Sequence, residues 1–146
     1  MKTIILTFSL FFMLSCNSDE PKFQSIEITP ILISKGVFFN GNYNPTQHNE
    51  IFTNTTQWND FISNVWETDP IPDEANVDFD TYKVIAAFDE PRPNGGHSID
   101  IISVTENAEN ITIVVEKLLN GDATTFPTRP YHFVKIPISN KEIIFE

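Results

Sequence analysis

The chain has one cysteine, five glycines and nine Lys and Arg residues among 146, and each scarcity removes a class of explanation. A single cysteine cannot close an internal disulfide, so the fold must rest on its apolar core. With twenty Asp and Glu the net charge is −11, and such a chain is repelled by phosphate backbones, which excludes nucleic acid as an expected partner. The glycine pair Gly95-Gly96 lacks a following Lys and helix, so it is no phosphate-binding loop. No Asp-x-Asp-x-Asp-Gly loop is present, and only Asp78-Phe79-Asp80 has local ligand spacing. The acidic residues Asp69, Asp73, Glu74, Asp78, Asp80, Asp89 and Glu90 therefore read as solvated charge, and no metal or cofactor is expected. No internal repeat is visible, and the length suits one domain. About 120 residues can bury enough apolar surface to fold without covalent staples.

What is present begins at the N-terminus. Lys2 precedes an apolar run, Ile4 to Leu14, too short to anchor stably across a bilayer. Leu14-Ser15-Cys16 follows and resembles the lipobox of bacterial lipoproteins, with Met13 where leucine is usual. The resemblance implies a signal peptide over 1–15, cleavage before Cys16, and acylation of that cysteine. More than one acyl chain would hold the protein durably on a membrane. Residues 16–23 read as a lipidated tether, and 24–146 as a single domain. Asn17-Ser18-Asp19-Glu20 resembles the acidic export signals of some surface lipoproteins. The expected location is the outer membrane, on its periplasmic or cell-surface side. Cleavage removes Lys2 and no acidic residue, so lipid rather than protein charge is expected to bind the membrane.

Along the domain, Ser25 to Thr29 alternates and Ile31-Leu32-Ile33 continues past Pro30, giving an edge strand or two short ones. Val37-Phe38-Phe39 suggests another short strand, and Asn40 to Glu50 a loop. Asn54, followed by Gln57, starts a helix in which Trp58, Phe61, Ile62, Val65 and Trp66 fall at helical spacing. The tryptophans there read as core anchors rather than a sugar platform. Thr68 to Asn76 is a connection. Tyr82 to Phe88 is apolar on both alternating faces after Lys83 and predicts a central strand. Pro91 to Gly96 is a turn, returning in a strand from His97 to Thr105. Strands are also expected over Ile111 to Val115, Tyr131 to Ile136 and Ile143 to Phe145. The fold class is α+β, mostly β: an antiparallel sheet or β-sandwich with one amphipathic helix.

The residues offer little catalytic chemistry. His132 should share a face with Val134 and Ile136, as a hydrogen-bonded structural histidine. Ser98, Asp100 and His132 are the types of a hydrolase triad, but Ser98 lies in an expected strand and not on a nucleophile elbow. The best binding candidate is the glycine turn, because a glycine pair admits close backbone approach, with Arg92, Pro93, Asn94, His97 and Ser98 around it. Arg129, Pro130, Tyr131 and His132 are expected nearby, since both segments lead into strands.

The stretch from Trp58 to Pro137 resembles the PrcB C-terminal domain family, named for a lipoprotein subunit of a secreted protease complex. The resemblance runs through Trp58, Val77-Asp78-Phe79, Val84-Ile85-Ala86-Ala87-Phe88, Pro93-Asn94-Gly95-Gly96-His97-Ser98-Ile99, and Thr128-Arg129-Pro130-Tyr131-His132-Phe133-Val134-Lys135-Ile136-Pro137. His97 stands where the family has another aromatic residue. The resemblance implies a non-catalytic accessory module that binds a protein, such as a secreted protease. A second expectation comes from Asn44-Pro45-Thr46, Gly95-Gly96 and Arg129-Pro130-Tyr131, which faintly resemble the three inhibitory loops of chagasin-like cysteine-protease inhibitors.

Overall fold

A computed structural model of the chain describes residues 23–38, 46–65 and 71–146. The expected signal segment, Cys16, Phe39, the Asn44-Pro45 pair and Trp66 lie outside the described residues. The elements are β1 (Ile26–Glu27), β2 (Ile31–Phe38), β3 (His48–Phe52), α1 (Thr55–Val65), a 3-10 turn (Asp73–Ala75), β4 (Tyr82–Phe88), β5 (Asp100–Glu106), β6 (Asn110–Glu116), β7 (Arg129–Pro137) and β8 (Glu142–Phe145).

The strands form two four-stranded sheets. One has the order β2-β7-β4-β3, antiparallel throughout; the other has the order β1-β5-β6-β8, in which β6 and β8 run parallel. The helix packs on the outer face of the first sheet, giving three layers. Between helix and sheet lie Trp58, Phe61, Ile62, Phe52, Val84, Ala86, Phe88 and Phe133. Between the sheets lie Ile85, Ala87, Ile99, Ile101, Val104, Ile111, Ile113, Val134 and Ile136. Strand β4 serves both layers, which is why its sequence is apolar on both faces. The mostly β, α+β sandwich expected from the sequence is the fold observed.

Local chemistry explains the helix. The Gln57 amide donates to Asn54 Oδ1 at 2.9 Å, capping the first turn. Trp58 is a core residue: its ring lies 5.1 Å from Phe52 and 6.0 Å from Phe133, and its Nε1 donates to Ala75 O at 2.8 Å. That bond ties the helix to the 3-10 turn.

Several boundaries differ from the sequence expectation, each for a physical reason. At Pro30 two strands form, one of the two expected outcomes; the chain leaves one sheet and enters the other there, so β1 and β2 are edge strands of different sheets. Ile31–Ile33 and Val37-Phe38 belong to one strand with an irregularity between Leu32 and Ser34. The loop expected to reach Glu50 gives way at His48, because His48 stacks on Phe88 at 4.7 Å and β3 pairs with β4 from Val84 to Phe88. The connection Thr68 to Asn76 holds the 3-10 turn. Most consequentially, Pro91 to Gly96 is not a hairpin turn. Strands β4 and β5 lie in different sheets, the segment crosses between them, and regular strand begins at Asp100 rather than His97.

Candidate functional site

The crossover leaves β4 at Asp89, which is fully buried. Its carboxylate is gripped by Arg92 through Nε at 2.7 Å and Nη2 at 3.0 Å, by Lys117 Nζ at 2.7 Å, and by the Glu90 amide at 2.9 Å. Burial alone would raise this carboxyl's pKa, but the two cations and the amide together hold it below the usual value. Asp89 is therefore not solvated charge, whereas Asp73, Glu74, Asp78, Asp80 and Glu90 are exposed. Arg92 also bridges Thr128 by paired backbone bonds of 2.7 and 3.0 Å, so the two expected patches do meet.

The glycine pair then docks on the chain's own 121–124 segment. Gly121 N donates to Gly96 O at 3.0 Å and Asp122 N to Gly95 O at 2.9 Å. Asn94 Nδ2 donates to Asp122 O at 2.8 Å, the Gly95 amide to Thr124 Oγ1 at 2.8 Å, and His97 Nε2 lies 3.0 Å from Asn94 Oδ1. Gly96 has φ of 71°, and a Cβ there would stand 2.7 Å from Asp122 N. The close approach that glycine permits is thus used internally. Gly95 is buried by this contact, and Gly96 stays exposed beside it.

The β7 patch is also inward. Arg129 is 2% exposed; its Nε donates to Asp89 O at 2.9 Å and its guanidinium sits 5.4 Å from the centre of the Phe88 ring. Pro130 and Tyr131 are buried, and Tyr131 stacks on Phe38 at 4.2 Å. Arg129 and Tyr131 are therefore not presented to a protease cleft, and of the glycine pair only Gly96 is exposed. Of the three chagasin-like loops, the Arg129-Pro130-Tyr131 segment is buried.

Ser98, Asp100 and His132 do converge, though not as a triad. Ser98 Oγ donates to Asp100 Oδ2 at 2.5 Å and accepts from the Leu119 amide at 3.1 Å. Asp100 is ion-paired with Lys35 of β2. Burial would raise its pKa, but Lys35, Ser98 and the Leu118 amide hold it low. His132 shares the inter-sheet face with Val134 and Ile136, as expected, and its Nδ1 accepts from the Ile101 amide at 2.9 Å. Burial depresses the pKa of the ring and Lys35 adds to the effect, outweighing Asp100. His132 closes a gap: β1 pairs with β5 at Thr105 and Glu106, and the Ile28 amide reaches Val104 O at 2.9 Å, which leaves the Ile101 amide uncovered. Side chains from the facing sheet satisfy what that short strand leaves open.

What remains exposed is a rim that the sequence reading passed over. On the 117–128 segment, Leu118, Leu119 and Phe126 are 55%, 58% and 70% exposed, flanked by exposed Pro93 and Pro127. The sequence signal was the adjacent Leu118-Leu119 pair, which breaks the alternation of β6 before Asn120-Gly121, and a Phe set among Thr and Pro. Elsewhere a depression of about 460 Å3 beside α1, lined by Ile62, Ile71, Pro72 and Asp73, offers no pair of titratable groups. Among the described residues no group of three or more His, Cys, Asp or Glu could hold a metal, and no helix is long and apolar enough to cross a membrane. No family model, no curated protein and no solved structure matches the chain.

Proposed function

We propose that the chain is a non-catalytic, protein-binding lipoprotein module, held at the outer membrane by acyl chains on Cys16. Its contact surface is the Leu118, Leu119 and Phe126 rim. The observation that carries this reading is that large apolar side chains stand in solvent on a segment pinned by backbone and side-chain bonds to the crossover. Exposed apolar groups on a rigid support are what a protein interface needs: burial supplies affinity, and little conformational freedom is lost on binding. The commitment of Ser98's proton to Asp100 supports a non-catalytic role. The resemblance to the PrcB C-terminal domain suggests an accessory role to an extracellular protein such as a secreted protease.

The anchor and the rim are tested separately. Cys16→Ser should release the protein from the membrane fraction and abolish palmitate incorporation. Leu119→Ser with Phe126→Ser should leave thermal unfolding unchanged and abolish co-purification of the partner from envelope extracts. Retention of the same partner by that double variant contradicts the assigned surface.

A further inference from the structure

The molecule has two poles, and the tether enters at one of them. Phe23 lies under Lys141 Nζ at 4.1 Å, Ser25 donates to Asn107 at 2.8 Å, and Ile26 pairs with Glu106 at the far end of β5. The rim stands at the other end: the Leu118 amide donates to Asp100, where β5 begins. Six residue steps of strand separate Asp100 from Glu106, about 20 Å. At the tether pole, Ile26 and Ile138 are each 54% exposed, and Phe23 and Ile31 are also exposed. These apolar side chains come from both ends of the domain, the first strands and the turn between β7 and β8.

We propose that this pole rests on the lipid surface, with Phe23, Ile26, Ile31 and Ile138 touching the headgroup boundary and the rim held away from it. The proposal rests on the acylation of Cys16 proposed above. Seven residue steps from Cys16 to Phe23 span about 25 Å fully extended and about 15 Å as a flexible chain. The tether therefore lets the pole reach the headgroup layer, while the strand length carries the rim outward. Attraction is apolar and not electrostatic, because Glu27, Glu106 and Glu142 share this end with Lys135 and Lys141. The surface it fits is a zwitterionic bilayer, and the contact is insensitive to salt.

The single cysteine makes a direct test possible. The full-length acylated protein, reconstituted in phosphatidylethanolamine–phosphatidylcholine vesicles, should take no thiol-reactive nitroxide. Ile138→Cys, Ile26→Cys and Leu119→Cys each add one labelling position at an exposed side chain. Nitroxides at 138 and 26 are expected to collide more with membrane-dissolved oxygen than with an aqueous nickel chelate, and that at 119 the reverse. If all three favour the nickel chelate while the unsubstituted protein stays membrane-bound and unlabelled, the domain stands clear of the bilayer and the proposal is overturned with the anchor intact. Dipolar broadening at 138 that grows with the protein-to-lipid ratio would show that a second copy covers the pole, which also overturns it. Labelling of Cys16 itself refutes the anchor, and the proposal with it.

Discussion

At the scale of single residues, the crossover shows how one side chain type takes its meaning from its neighbours. Gly95-Gly96 was legible in the sequence as a place of close backbone approach, but not as approach by the chain's own 121–124 segment, which lies 25 residues on and has no local signal. Gly96→Ala is expected to lower stability by about 1–3 kcal/mol in urea titrations, since φ of 71° and the Asp122 amide both oppose a Cβ. His132 was legible as a structural histidine because its face alternates with Val134 and Ile136. The backbone amide it accepts from was not, since Ile101 belongs to the other sheet. That bond requires a neutral ring, and burial keeps the folded pKa below 6.5. The unfolded chain is thus protonated first as pH falls through 6.5, and stability declines from there down to the folded pKa. Asp89 and Asp100, both lowered from 3.8, contribute stability above that value and lose it as pH falls further. Urea midpoints at pH 7.5 and pH 5.5 should differ in wild type and differ less in His132→Asn. An equal shift in both would contradict the assignment.

At the scale of elements, the helix was the most legible part because both its cap and its apolar stripe are local. Asn54→Ala should cost about 1 kcal/mol, by loss of the cap to the Gln57 amide. Trp58→Ala should cost about 3–5 kcal/mol, since it empties the space among Phe52, Phe61 and Phe133 and leaves the Ala75 carbonyl unpaired. Chemical denaturation of the two variants separates the terms. The two-faced apolarity of β4 announced a central strand, and the structure shows what covers each face. Pairing was less legible. A Pro-Asn-Gly-Gly stretch between two strands reads as a hairpin, yet Asp89 with Arg92 and Lys117 steers the chain into the opposite sheet. The Pro-Asn-Gly-Gly residues themselves do not record that choice; the Asp89 carboxylate ahead of them is held by Arg92 and by a lysine beyond the end of β6.

At the scale of the whole molecule, the layers explain which surfaces are left for partners. The helix covers one sheet and that sheet covers the other, so the outer face of the second sheet stays open with Ile102 and Ile144 in solvent, and further exposed apolar groups lie at the two poles. In the candidate site legible in the sequence, Arg92 to Ser98 with Arg129 to His132, most polar side chains bond within the chain and support the segment that carries the rim, while Pro93 and Gly96 are exposed. The rim could be read only once the fold removed Leu118, Leu119 and Phe126 from the core. The most direct measurement is photocrosslinking in intact cells, with a diazirine amino acid placed at 126, at 119 and, on the outer face of the second sheet, at 144. A single protein adduct of defined mass from 126 and 119, absent from 144, is the predicted result. Adducts of the same mass from all three positions, or from 144 alone, would contradict the account.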